Sequence, residues 1–326
     1  MLSLRRISLQ VSAAAMVAML SGAAFAADGV YPNRPIRLIT PYAPGGSTTV
    51  TGRMLGEHFT SRWRQNVIVD NRGGGNTTIG TGIVAKSLPD GYTILLTTTT
   101  HSILPSVMKT PYDAVRDFAP VATIGIQPHV LVLHPGVPAG TVQELIALAK
   151  SNPGNLTFAS SSSGGTSHMA GEVFNMLAGV KIRHIPYKGG GPATIDLIGG
   201  HVQMFYSVPI NIVGHVQSGK LKAVAVTGET RLTALPQTPT FAENGIAGFD
   251  VKTWHGVFAP AGTSRTIVDK LSAEIGAMLA MPGVREKLEA MGLTTMISTP
   301  DQLGAMVKSE IGLYLKVVRA ANIRIE

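Results

Sequence analysis

Short apolar runs alternate with stretches of helical period along most of the chain. Ile36 to Thr40, Val67 to Asn71 and Thr93 to Thr97 are five-residue runs rich in aliphatic and β-branched side chains, as expected of buried strands. Between them, about Thr48 to Trp63 and Ile79 to Leu88 carry a helical pattern; in the first, Val50, Met54, Leu55, His58 and Phe59 fall near one face and Arg53, Glu57 and Arg64 largely elsewhere. The order βαβαβ predicts a parallel sheet with helices on both faces.

The alternation then repeats. A long apolar stretch from Val121 to Leu133 is followed by a helix Val142 to Lys150, a strand Leu156 to Ala159, a helix through Met169 to Leu177 and a strand Ile182 to Ile185. A helix near Pro192 to Ile198 and strands Val202 to Tyr206 and Leu221 to Val226 complete this unit. After Thr263 the pattern is helical, with runs Ser264 to Met281, Gly283 to Met291 and Pro300 to Ala321, so the tail must pack on sheets already built. Two α/β units and a returning tail predict a discontinuous first domain, residues 27–125 with 229–326, and a second domain, 126–228. The chain crosses near Ile124 to Gln127 and returns near Val226 to Thr230, and two crossings make a hinge.

The first segment changes the picture of compartment. Arg5 and Arg6 precede an apolar run from Val11 to Leu20, then Gly22, Ala23, Ala24, Phe25 and Ala26. That is the pattern of a secretory signal peptide over residues 1–26, with a mature start near Ala27 and export to the periplasm. The run is too short for a span of about 20 residues. The chain has no cysteine, which removes disulfides and thiolate metal sites. It carries 27 Lys+Arg against 19 Asp+Glu; without Arg5 and Arg6 the balance is 25 − 19 = +6. With 14% charged residues and no basic run, nucleic acid is not an expected partner and small anions are mildly favoured.

Open α/β sheets bind ligands beyond the carboxyl ends of their strands, where loops enter helices. After the first strand comes Pro41-Tyr42-Ala43-Pro44-Gly45-Gly46-Ser47-Thr48-Thr49. Its glycines allow close backbone approach, and the helix start offers free N–H groups to an anion; alternatively the segment is only a turn and an N-cap. The second unit has a counterpart, Ser160 to Ser163 followed by Gly164, Gly165, Thr166, Ser167 and His168, rich in hydroxyls and amides. Thr97 to Ser102, with Thr98 and Thr99, and Tyr187 to Pro192, with Lys188 and Gly190, could complete a cleft. Trp254 could form an apolar wall or belong to the core. Arg72 to Asn76 reads as a mainly structural glycine loop.

Catalytic patterns are weaker. Gly46 is not followed by the Lys of a phosphate loop, and no G-x-G-x-x-G or G-x-S-x-G occurs. None of the nine histidines forms H-x-x-x-H or H-E-x-x-H, so neither a metal nor another cofactor is expected. Ser161 or Ser162 with His168 could form a hydrolase pair, which makes an exported serine hydrolase the enzymatic alternative.

In order, these segments resemble the Bug (TctC-like) family of periplasmic solute receptors of tripartite tricarboxylate transporters. The resemblance rests on Tyr31-Pro32 with Pro35 to Ile39, Pro41 to Ser47, Val69 to Arg72, Pro89 to Thr93, Ser167 to Glu172, His184 to Gly189 and Trp254 to Pro260. It implies an α/β, type II periplasmic-binding-protein fold, two doubly wound domains joined by two crossing strands, with a carboxylate between them. It also implies a receptor serving an inner-membrane permease of that transporter type; nothing in the sequence suggests more than a monomer. Where the family usually has Asp, this chain has Thr49, and Ser207 stands where another Asp is frequent. The missing negative charge predicts a dicarboxylate without an amine. A ligand sensor for a two-component system shares every one of these residue arguments.

Overall fold

The structure, a computed structural model, describes residues 31–246 and 248–320; the expected signal peptide lies outside them. Two sheets organise the chain. The first contains β1 (Ile36–Thr40), β2 (Val67–Asn71), β3 (Thr93–Thr98), β4 (Phe118–Pro128), β10 (Lys252–Pro260) and the short β11 (Thr294–Thr295), in the order β11-β4-β10-β3-β1-β2. The second contains β5 (Val130–Leu133), β6 (Thr157–Ser160), β7 (Arg183–Pro186), β8 (Met204–Ser207) and β9 (Lys222–Val226), in the order β7-β6-β8-β5-β9. β1 runs parallel to β2 and β3, and β6 to β7 and β8. The sheets are nevertheless mixed: β10 is antiparallel to both β3 and β4, and β5 to both β8 and β9.

Ten helices cover these sheets among the described residues: α1 (Ser47–Trp63), α2 (Thr78–Ala85), α3 (Thr100–Val107), α4 (Val142–Ser151), α5 (Thr166–Ala178), α6 (Gly190–Ile198), α7 (Val213–Gln217), α8 (Arg265–Ala280), α9 (Pro282–Ala290) and α10 (Pro300–Ala320). The tail does pack on the first sheet, where Leu303 and Val307 of α10 join Ile39, Leu95 and Phe258 in one core cluster. The predicted face of α1 is displaced. Its buried positions are Ser47, Thr48, Thr49, Thr51, Gly52, Leu55, Gly56 and Phe59, while Val50, Met54 and His58 are only half-buried. Glycine explains the shift, because a Cβ on Gly52 would lie 3.3 Å from Val69, so the helix seats its small residues directly on β2.

The apolar stretch expected from Val121 to Leu133 is divided between sheets. β4 ends at Pro128, His129 intervenes, and β5 begins at Val130. The return runs from β9 through Thr227 and Val251 to β10. The His129 N–H donates to Thr227 Oγ1 at 2.9 Å, the Thr227 N–H to the His129 carbonyl at 2.9 Å, and Thr227 Oγ1 to the Val251 carbonyl at 2.6 Å. The two crossings therefore run side by side and are fastened together.

Below the second sheet, Gly171 of α5 lies against the Phe158 ring; a Cβ there would come within 2.2 Å of it. Phe158 is fully buried among Phe174, Tyr206 and Leu145, so nothing can yield cheaply. Gly171→Ala is expected to destabilise the protein by about 2 kcal/mol or more, read as a lower urea midpoint at unchanged slope. An unchanged midpoint would show that this contact is looser than described.

Candidate ligand-binding site

Helix starts define the site. α1, α5 and α6 begin at N-cap glycines, Gly46, Gly165 and Gly189, and none of the three has a side-chain cap or an acidic residue in its first turn. Two other helices are capped by side chains, α4 by a capping box of Thr141 and Glu144 and α8 by Ser264, while α2, α3, α7 and α9 are also uncapped but do not start from a glycine. The first N–H groups of a helix lack intrahelical partners and carry the positive end of its dipole. Three such starts meet at one cavity, lined by Gly46, Ser47 and Thr48 of α1, Thr166 and Ser167 of α5 and Gly190 of α6. Tyr42, Thr98, His129, Ser161, Phe205, Tyr206, Val208, Asn211 and Thr253 complete the wall. No Asp, Glu, Lys or Arg is among these residues. The enclosed space is small, about 40 Å3, room for on the order of three waters.

Hydrogen bonds hold both loops. Beneath α1, Thr51 Oγ1 donates to the Ser47 carbonyl at 2.9 Å and lies 3.1 Å from His255 Nδ1, while His255 Nε2 lies 3.1 Å from Gln127 Nε2. Since the Thr51 proton is committed to Ser47, His255 Nδ1–H donates to Thr51 and Nε2 accepts from Gln127. Burial pushes His255 down to about 4, so it stays neutral. Asn71 Nδ2 donates to Thr40 Oγ1, Thr49 Oγ1 and the Tyr42 carbonyl at 2.6, 2.8 and 3.0 Å. The Tyr42 hydroxyl lies 2.7 Å from Thr98 Oγ1, and burial raises its pKa.

The serine-rich loop is propped by two histidines. The Gly164 N–H donates to His168 Nδ1 at 3.0 Å, His184 Nε2 lies 2.6 Å from Ser160 Oγ, and the two imidazoles stack at 3.8 Å. Burial, and then the neighbouring His168, push His184 down to about 3. His168 Nε2 faces Glu172 at 3.6 Å. Ser161 pairs with Ser167, at 3.2 Å between hydroxyl oxygens. With its Nδ1 engaged by Gly164 and its ring stacked on His184, His168 activates neither Ser161 nor Ser162, which removes the geometric basis for a hydrolase.

Of the residues singled out in the sequence, the cavity gathers Tyr42, Gly46, Ser47, Thr48, Thr98, Ser161, Thr166, Ser167 and Gly190. The others stand elsewhere. Gly45 borders a surface pocket with Gly191 and Pro192. Ser162 and Lys188 line an adjoining space with Gly74 to Thr77. Gly165 caps α5 against Ser162. Thr99 Oγ1 accepts from the Trp254 N–H at 2.9 Å. Ser207 is fully buried and donates to the Val208 carbonyl. Trp254 is core, not wall: its ring packs with Phe258 and Leu303, and its Nε1–H donates to Glu310 at 2.9 and 3.0 Å. His129, Phe205, Tyr206, Val208, Asn211 and Thr253 were not foreseen. For His129 the available signal was a lone imidazole inside an otherwise apolar run, next to a crossing.

A surface groove of about 530 Å3 among Phe118, Phe258, Pro300 and Val307 shares no lining residue with this cavity.

Two α/β lobes, two adjacent crossings and uncapped helix starts from both lobes around one cavity define a periplasmic-binding-protein receptor. The chain belongs to the TctC family, the tripartite tricarboxylate transporter family receptors, whose model matches residues 51–323. It is 38% identical over 302 residues to the protein BugT of Bordetella pertussis, covering 91% of this chain and 92% of that one. It is also similar to an R. palustris protein solved with adipate, at 30% identity and a TM-score of 0.87 over 90% of this chain and 99% of that one. MatC of Rhodopseudomonas palustris, solved with bound malate, matches at 29% identity and a TM-score of 0.84 over 88% and 100% of the two chains. The family is one of solute-binding receptors, not of enzymes.

Proposed function

We propose that this receptor works in the periplasm, where it binds a small carboxylate, preferentially a dicarboxylate, and delivers it to an inner-membrane permease of the tripartite tricarboxylate type. The observation that carries the reading is the convergence of three glycine-capped helix starts, from both lobes, on a hydroxyl-lined cavity without a charged side chain. A buried carboxylate needs its water replaced by several well-aimed donors, and helix amides supply them. A second carboxylate would find Lys188 in the adjoining space. The adipate and malate complexes of the relatives agree with this chemistry.

In this reading residues 27–125 with 229–326 and residues 126–228 move as two bodies about the paired crossings, opening to admit the ligand and closing over it. The receptor acts as a monomer exported through its first 26 residues; the intact mass of periplasmic protein beginning near Ala27 tests the export. The decisive experiment is a thermal-shift screen of C4 to C8 aliphatic and aromatic carboxylates. A true ligand raises the melting temperature with the logarithm of its concentration, by about 2.7 kcal/mol of stability at a hundredfold excess over Kd. Failure of every carboxylate, alongside a response to a neutral or cationic solute, would sink the proposal.

A further inference from the structure

One wall of the cavity has a fixed hydrogen-bond polarity. His129, at the first crossing, lies with Nδ1 2.9 Å from the Tyr206 carbonyl and Nε2 2.8 Å from Thr253 Oγ1. A carbonyl can only accept, so Nδ1 carries the proton and Nε2 is a lone pair. Burial pushes His129 down to about 4, which keeps the ring neutral and this tautomer in place. Nε2 must then accept from the Thr253 hydroxyl. Thr253 Oγ1 also lies 2.6 Å from Thr166 Oγ1. With the only Thr253 hydroxyl proton held by His129, the hydroxyl proton of Thr166 points to Thr253. Thr166 therefore presents lone pairs and no proton to the cavity it lines.

The consequence is chemical. A carboxylate oxygen set against Thr166 would meet lone pair with lone pair, whereas a ligand hydroxyl would donate to it. An ammonium could also donate, but the lining holds no carboxylate to balance its charge. From this relay, and resting on the carboxylate reading above, we infer that the receptor selects hydroxycarboxylates, with the ligand hydroxyl donating to Thr166 while the carboxylate takes the helix-start amides. Tyr206, His129 and Thr253 are positioning residues; Thr166 makes the contact.

Calorimetry with matched pairs tests this: lactate and propionate, malate and succinate, citrate and tricarballylate, with aspartate as the ammonium counterpart of malate. The hydroxylated member of the pair that binds best should be tighter by about tenfold or more. Thr166→Val should erase that preference, bringing the affinity ratio within the pair to near one. Thr253→Val, which frees the Thr166 proton to turn into the cavity, should shrink the preference by improving the deoxy partner, and it decides the matter if Thr166→Val fails to fold. Equal binding within every pair, or aspartate tighter than malate, overturns this inference and leaves the carboxylate receptor standing. Absence of binding by any carboxylate removes both.

Discussion

Lowering the pH from 6.5 towards 4 is expected to remove several kcal/mol of folding stability, enough to unfold the protein in mild acid. Burial pushes His101, His129 and His255 down to about 4, and burial with a neighbouring imidazole pushes His184 to about 3. In the unfolded chain histidine titrates near about 6.5. The folded values are depressed, so the unfolded state takes up protons first. The stability these groups contribute is intact above pH 6.5 and is lost as the pH falls towards the folded values. Each group costs roughly 1.4 kcal/mol per pH unit in that window, with His184, the least buried, contributing least. Against a total of about 5–15 kcal/mol, four such groups dominate.

Other groups modify this at the edges. Asp70, Asp113 and Glu243 have lowered values, so they add their loss at still lower pH. Glu310, raised by burial beside Trp254, works in the opposite direction and offsets part of the fall. The check is the urea midpoint at pH 7, 6, 5 and 4.5, with His101→Phe expected to flatten the slope by about one proton. A midpoint constant from pH 7 to 4.5 would contradict the assigned neutral histidines. Because His129 and His255 brace the cavity, ligand binding should fail over the same interval.

What the sequence disclosed and what it hid follow from the range of the forces involved. β1 and β2 have the residue limits their apolar runs predict, because a buried strand is a local pattern. α3 begins inside the expected loop Thr97 to Ser102, and its opening threonine and internal Pro105 give little local helical signal. The glycine and hydroxyl segments that enter helices were readable as candidate anion contacts because N-cap chemistry is also local. The floor of the cavity was not. His129 and Thr253 meet over a separation of 124 residues, through crossings whose register is set by strand pairing and not by any nearby motif. Thr49 illustrates the limit from the other side: the departure from the family's usual Asp was visible, yet Thr49 sits under the loop as a partner of Asn71 and does not line the cavity.

Closure itself should be breakable by one methyl group. Where the lobes meet at the cleft mouth, the Ala43 N–H donates to the Lys188 carbonyl at 2.7 Å. Beside this bond Gly191, in the first turn of α6, faces the opposite loop. A Cβ on it would lie 2.7 Å from the Pro44 carbonyl oxygen and 3.0 Å from the Gly45 carbonyl carbon. Both are backbone atoms, so no side chain can swing aside, and the added carbon is accommodated only by moving one lobe away from the other. Gly191→Ala should therefore hold the cleft ajar, weakening ligand binding about ten- to a hundredfold, since a carboxylate that loses its enclosing amides regains competition from water. Folding should be nearly untouched, because alanine suits a first helical turn better than glycine. Gly283→Ala, where a Cβ meets nothing within 4 Å, is the control. Small-angle scattering with saturating ligand should show Gly191→Ala more extended than the wild type. If affinity and scattering are both unchanged, these loops do not govern closure, and the grip on the ligand must come from within the cavity alone.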